Sequence, residues 1–325
     1  MKKLLYALLG LILLVGLIVA GGIMYLKNAF PVDIAVEDVT VEATPERLER
    51  GAYLVNHVTV CLDCHSSKNY EYFSAPIIPG TEGKGGDVFP GVPGALYTTN
   101  ITPAALRDWS DGEVMRAITC GLDKDNQPLA PMMPFSEYRY LAKEDVYAIV
   151  AYLRTLKPIK NSSPIPEPQI NFPVSLIFRT IPGAADPQPL PDSSDTIASG
   201  KYYARVAGCM FCHTPAEKGE PVPGMTFAGG FEFNDPQFGT VRSANITPDA
   251  ETGIGSWTKE AFIGKFKTYA DSTGRRIPVA KGELQTVMPW TMYANMTEAD
   301  LGAIYEYLRT VAPVRNQVEK FTPAK

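Results

Sequence analysis

Val60-Cys61-Leu62-Asp63-Cys64-His65 decides how the rest of this chain is read. The stretch has the form C-x-x-C-H, the spacing at which a c-type haem is attached covalently. Two intervening residues set the sulfurs apart by the distance between the porphyrin vinyl groups. The histidine that follows at once lies under the ring as the proximal iron ligand. The pattern returns as Cys209-Met210-Phe211-Cys212-His213, so two copies use four of the five cysteines and two of the three histidines. A zinc half-site or a thioredoxin-like redox pair shares the C-x-x-C spacing. Neither gives a reason for a histidine directly after each pair, and the βαβ pattern of a redox fold is absent.

The chain has 325 residues and a net charge of −5. That length holds about two domains. The mild negative charge and the lack of any basic block argue against a nucleic-acid partner. Met1-Lys2-Lys3 precedes an uncharged apolar run from Leu4 to Leu26, closed by Lys27. The run is long enough to span a bilayer and longer than the core of a signal peptide. Residues 1–27 therefore read as an uncleaved membrane anchor; a cleaved leader, with Ile18-Val19-Ala20 as a passable site, is the competing reading. The two leading lysines favour a cytoplasmic amino terminus, with the remainder on the outer, periplasmic side.

Beyond a tether at 28–43, the chain repeats itself. Pro79-Gly80 answers Pro223-Gly224, and Gly85-Gly86 answers Gly229-Gly230. Asn100-Ile101-Thr102-Pro103 returns as Asn245-Ile246-Thr247-Pro248, and Trp109 as Trp257. Met133-Pro134-Phe135 returns as Met288-Pro289-Trp290, and the run from Asp145 to Asn161 as that from Asp300 to Asn316. The order is the same in both, so one domain has been duplicated. The boundaries read as 44–161 and 193–318, joined by a proline-rich segment, 162–192, too apolar to be free linker. Thr44 before Pro45 and Ser110 with Glu113 are helix-start signals. Val146, Ile149, Val150, Leu153 and Leu156 form a core stripe on the closing helix of the first half, and Leu301, Ile304, Tyr305, Leu308 and Val311 on that of the second. Gly51 and Gly200, each about three turns before a haem cysteine, mark close approach by another element.

An electron-transfer haem needs a second axial ligand, usually histidine or methionine. Two bis-histidine haems need four histidines and the chain has three, so at least one iron takes something else. Met133 and Met288 occupy the same place in the repeat, each before Pro-aromatic, where proline stiffens the loop. Met132 stands beside Met133, but the repeat aligns Met133 with Met288. His57 reads as a surface or hydrogen-bonding residue and Cys120 as a buried thiol. Cys120 as a thiolate ligand would instead suit a thiosulfate-oxidising enzyme, and an open distal site a dihaem peroxidase.

With these motifs assembled, both halves resemble class I cytochrome c domains. The combination of C-x-x-C-H, N-I-T-P, M-P-aromatic and A-I-x-x-Y-L-R-T is similar to the cytochrome c subunits of bacterial membrane-bound alcohol and gluconate dehydrogenases. Those subunits usually carry three haems; this chain has two motifs. The resemblance implies a mainly α fold of two tandem cytochrome c domains, short helices and long loops around covalently bound haem, behind a transmembrane helix. It implies two haem c groups, one on Cys61, Cys64, His65 and Met133, the other on Cys209, Cys212, His213 and Met288. It suggests that Asn100, Asn245, Trp109 and Trp257 lie near haem edges or propionates. The expected role is respiratory electron transfer. The donor would be a dehydrogenase or quinol-oxidising complex, and the acceptor a soluble cytochrome or terminal oxidase.

Overall fold

A computed structural model of the chain describes residues 2–89, 94–217, 219–280 and 282–324. Helix α1 (Lys2–Ala29) buries none of its residues and is long and apolar enough to cross a membrane. The first half then runs through α2 (Pro45–Tyr53), α3 (Cys61–Cys64), α4 (Pro103–Leu106), α5 (Asp111–Cys120), α6 (Phe135–Tyr138) and α7 (Lys143–Thr155). A connecting segment carries α8 (Val174–Thr180). The second half follows with α9 (Thr196–Val206), α10 (Cys209–His213), α11 (Lys259–Lys267), α12 (Trp290–Tyr293) and α13 (Glu298–Leu308).

Each half adds a small antiparallel sheet. In the first, β1 (Val88–Phe89), β2 (Gly94–Tyr97) and β3 (Gln169–Ile170) lie in that order. A two-stranded ribbon, β4 (Ala216–Glu217) with β5 (Glu220–Pro221), precedes the second sheet. That sheet orders β6 (Glu232–Asp235), β7 (Gly239–Arg242) and β8 (Phe321–Pro323). The third strand of each sheet comes from after the closing helix, so pairing runs past the limits read at 161 and 318.

The local signals act as their chemistry dictates. Thr44 caps α2 with Pro45 in the first turn, and Ser110 with Glu113 forms a complete capping box on α5. The apolar stripes of α7 and α13 are buried in one core that both halves share. Helix α2 packs on α7 and α9 on α13, and the two glycines are what allow it. A Cβ at Gly51 would lie 2.0 Å from the Ala148 carbonyl oxygen, and one at Gly200 1.9 Å from that of Ala303.

Gly51 to Cys61 is ten residues, whereas Gly200 to Cys209 is nine. The extra residue in the first half is absorbed by a π-helical turn over Leu54–Val58, the usual way to insert one residue into a helix without unwinding it.

The halves meet across a pseudo-twofold axis. Tyr53 of α2 donates to the Asp300 carboxylate at the start of α13 and accepts from the Thr297 amide at 3.1 Å. Tyr202 of α9 does the same at the start of α7: its hydroxyl donates to Asp145 at 2.7 Å and accepts from the Ala142 amide at 3.1 Å. Each half therefore supplies a tyrosine that caps the other's closing helix, as in a self-complementary dimer interface. At α13 the Thr297 hydroxyl accepts from the Asp300 amide. The return bond of a capping box is replaced by the tyrosine relay.

His57 sits in the π-turn at this junction, its Nδ1 3.2 Å from the Met292 carbonyl of the second half. Burial, aided by the nearby Arg275 and Lys267 charges, lowers its pKa. A depressed imidazole pKa means the unfolded chain binds the proton more readily. The stability it contributes is present above the ordinary value of about 6.5 and is lost as pH falls through and below it. The urea midpoint is expected to drop between about pH 7 and pH 5, and the drop to shrink in His57→Gln. An identical pH profile in the variant would exclude His57 as its source.

The tether is not loose. The Arg116 guanidinium donates to the Ile34 carbonyl at 2.9 Å, and the Val41 amide donates to Asp111 at 2.8 Å. Glu37 pairs with Lys143 at 2.7 Å. The connecting segment is likewise laid along the first half, with Gly183 bonded to the Cys120 carbonyl and Asp186 to that of Arg139.

Candidate functional site

Two sites of the same construction are present, one in each half. Each begins with a residue in the left-handed region, Val60 at φ 46° and Gly208 at φ 72°. The turn aims a single helical loop, α3 or α10, so that both cysteines and the histidine leave it in sequence. Valine is a poor residue for that conformation, and its presence marks backbone strain of about 1–3 kcal/mol at the first site.

The imidazoles are held identically. His65 Nδ1 lies 2.7 Å from the Thr99 carbonyl oxygen, and His213 Nδ1 lies 2.7 Å from that of Ala244. A carbonyl only accepts, so Nδ1 carries the proton and Nε2 keeps its lone pair free. Burial lowers the pKa of both rings, which keeps them neutral. A neutral ring with its far nitrogen anchored is the donor that iron requires.

A second bond fixes the backbone of the same residues. The Gly85 amide donates to the His65 carbonyl at 2.9 Å, and the Gly229 amide to the His213 carbonyl at 2.7 Å. Both glycines have positive φ, and a Cβ on either would lie 2.4 Å from the carbonyl carbon of Thr99 or Ala244. These are the carbonyls that orient the rings. The repeated Gly-Gly pair was visible in sequence, but not its role, because the residues it touches are 14 and 15 positions away.

The methionine loops are tied to the cysteine turns by a tyrosine. Met133 enters α6, whose Tyr138 donates to the Thr59 carbonyl at 2.6 Å, two residues before Cys61. Met288 enters α12, whose Tyr293 donates to the Ala207 carbonyl, two residues before Cys209. Met133 and Met288 both pack against the shared core. One short helix in each half thus couples the methionine loop to the cysteine turn.

The second methionine loop is also clamped by the first half. Ser74 Oγ donates to the Met288 carbonyl at 2.8 Å and accepts from the Trp290 amide at 2.9 Å. The two motifs lie near each other: burial, then Cys209 and Cys64, push the Cys212 thiol up to about 12, which keeps it neutral.

The structure shows what Asn100 and Asn245 hold within the protein. Asn100 donates to Ile159 and Asn161 and accepts from the Thr102 amide and hydroxyl. Asn245 makes the equivalent bonds to Val314, Thr252 and Thr247. Every amide atom is engaged in bracing the N-I-T-P turn against the segment after the closing helix. Both side chains are buried, which also rules them out as glycosylation acceptors. The Trp109 and Trp257 carbonyls accept from Arg154 and the Tyr305 hydroxyl, and the Trp109 ring packs against the core. Cys120 is buried and bridged to nothing. Among the described residues no three His, Cys, Asp or Glu side chains converge as a metal site, so the four motif cysteines do not gather into a zinc tetrad. Two thiols, a neutral imidazole and a thioether in each half are the donor set that suits covalent haem c.

Comparison with known proteins agrees with this chemistry. The cytochrome c family model matches residues 197–312. The cytochrome c subunit of the quinone alcohol dehydrogenase of Gluconacetobacter polyoxogenes is 28% identical over 290 residues, covering 85% of this chain and 58% of that protein. The fructose dehydrogenase cytochrome subunit of Gluconobacter japonicus is 28% identical over 85% of this chain and 54% of its own length. The gluconate 2-dehydrogenase cytochrome c subunit of Pantoea cypripedii is 26% identical over 83% of this chain and 60% of its own. The chain spans somewhat more than half the length of these relatives.

Proposed function

We propose, for a chain that carries a cytochrome c domain and is homologous to the cytochrome c subunits of quinone alcohol, fructose and gluconate dehydrogenases, that it is a membrane-anchored dihaem electron carrier. In this reading it has two tandem cytochrome c domains, 44–161 and 193–318, on the periplasmic side. It takes electrons from a dehydrogenase or quinol-linked donor and passes them to a soluble cytochrome or terminal oxidase. The observation that carries it is the doubled construction: C-x-x-C-H, a carbonyl-anchored imidazole and a tyrosine-tied methionine loop, once in each half.

Bound through thioethers, haem c supplies a reversible one-electron change at iron. The chain's part is to hold and tune. Cys61 and Cys64 would attach one group and Cys209 and Cys212 the other. His65 and His213 offer Nε2. Met133 and Met288 offer a soft neutral thioether, which favours the reduced metal and raises the potential.

Pyridine haemochrome analysis is expected to give two covalent haems per chain. The Cys61→Ala/Cys64→Ala and Cys209→Ala/Cys212→Ala variants should each keep one. A single haem in the unaltered protein would end the dihaem reading. Gly85→Ala provides a finer test. Its Cβ would displace the Thr99 carbonyl from His65, weakening the hydrogen bond that makes the ring a stronger donor. A less basic ligand stabilises ferric iron less, so one of two midpoint potentials should rise while the other stays. Two unchanged potentials would deny that carbonyl its role.

A further inference from the structure

Helix α8 belongs to neither repeat, and its setting is unlike that of any other element. It packs against α1. Within α1, Ile23, Leu26 and Ala29 are half-buried while their neighbours are exposed, a three-residue spacing that marks the covered face. Ile23 and Leu26 are the last turn of the uncharged run that Lys27 closes. The Arg179 guanidinium of α8 holds the end of the anchor through the Phe30 carbonyl at 2.6 Å and that of Lys27 at 3.3 Å. The helix is therefore fixed level with the border of the hydrocarbon span, not beyond it. The run from Leu4 to Leu26 is about 35 Å long at 1.5 Å per residue, against about 30 Å of bilayer hydrocarbon. Its last turn thus falls at the lipid–water boundary.

At that same level the protein leaves large apolar side chains uncovered. Phe172, just before α8, is 67% exposed, Ile177 within it 55%, and Val32, just after α1, 50%. Elsewhere in the first half Tyr70, Ile78 and Val88 are also exposed, but none of them adjoins α1 or α8 in the chain. Continuity with the anchor's own apolar surface says what covers the three beside α1 and α8.

We infer that α8 with Phe172, Ile177 and Val32 forms a second membrane contact, seated in the outer-leaflet interface beside the exit of α1. This rests on α1 being a membrane span. A single helix alone would let the haem module swivel; a second contact beside it, with the tether strapped to α5 and β3 paired to β2, fixes the first half against the membrane.

The test is photocrosslinking of the full-length holoprotein in nanodiscs of phosphatidylethanolamine and phosphatidylglycerol. Benzoylphenylalanine is placed singly at Leu13, Phe172, Ile177 and Ile277, the last an exposed residue of the second half. Lipid adducts at 172 and 177 are expected to approach those at 13 and to exceed those at 277 several-fold. Adducts at 13 but not at 172 and 177, chain-to-chain adducts at those positions, or equal labelling at 277 would overturn the inference. Absence of adducts at 13 would instead remove the membrane-span premise.

Discussion

Gly51→Ala and Gly200→Ala are each expected to abolish accumulation of haem-loaded protein. Helix propensity alone argues the opposite, since alanine in a helix interior is favoured over glycine by about 1 kcal/mol. Crowding decides the sign. At position 51 the new methyl would stand 2.0 Å from the Ala148 carbonyl oxygen and 2.7 Å from Tyr152 Cβ; at position 200 it would stand 1.9 Å from the Ala303 oxygen and 2.8 Å from Tyr307 Cβ. Neither neighbour is the free end of a flexible side chain. The helices must separate along their length, opening the core that Leu54, Ile149 and Leu153 fill on one side and Leu301, Ile304 and Leu308 on the other. Overpacking of this kind costs about 3 kcal/mol or more, a large share of a domain's margin. Haem-stained gels and urea titration would read it. A variant that stains and unfolds like the parent would show that the helices cross less closely than described.

Asp145→Ala is expected to unfasten the two halves. Its carboxylate is 1% exposed and accepts from Arg50 Nε at 2.8 Å, Arg50 Nη2 at 2.7 Å and the Tyr202 hydroxyl at 2.7 Å. Arg50 belongs to the first half and Tyr202 to the second, so one buried group joins a helix pair and an interface at once. Removing it strands a guanidinium and a hydroxyl, a loss of about 3 kcal/mol, at the low end of the range because Arg50 keeps some contact with water. The counterpart Asp300→Ala removes a half-exposed carboxylate with no arginine and should cost about 1 kcal/mol. The contrast is the diagnostic: comparable losses, measured as urea midpoints, would mean that Arg50 contributes nothing to Asp145. In the Asp145 variant, protease cleavage between 162 and 192 should also rise, since that segment lies against the loosened first half.

The sequence by itself determined whatever is encoded by neighbours. C-x-x-C-H sets sulfur spacing within one turn, Thr44-Pro45 and Ser110 with Glu113 start helices within four residues, and the repeat aligns Met133 with Met288 without any coordinates. A helix long and apolar enough to cross a membrane was legible because the run from Leu4 to Leu26 carries no charge. Gly51 and Gly200 could be read as close approaches, though not against which carbonyl. What only the tertiary structure decided lies between residues far apart in the chain. Tyr53 and Tyr202 cap helices of the opposite half, and Gly85 and Gly229 press on the carbonyls that orient the imidazoles. Asn100 and Asn245 brace a turn, and α8 sits on α1. None of these has a periodic signature, because a hydrogen bond or a steric contact across the core depends on where packing brings two elements together, and one residue's identity does not name its distant partner.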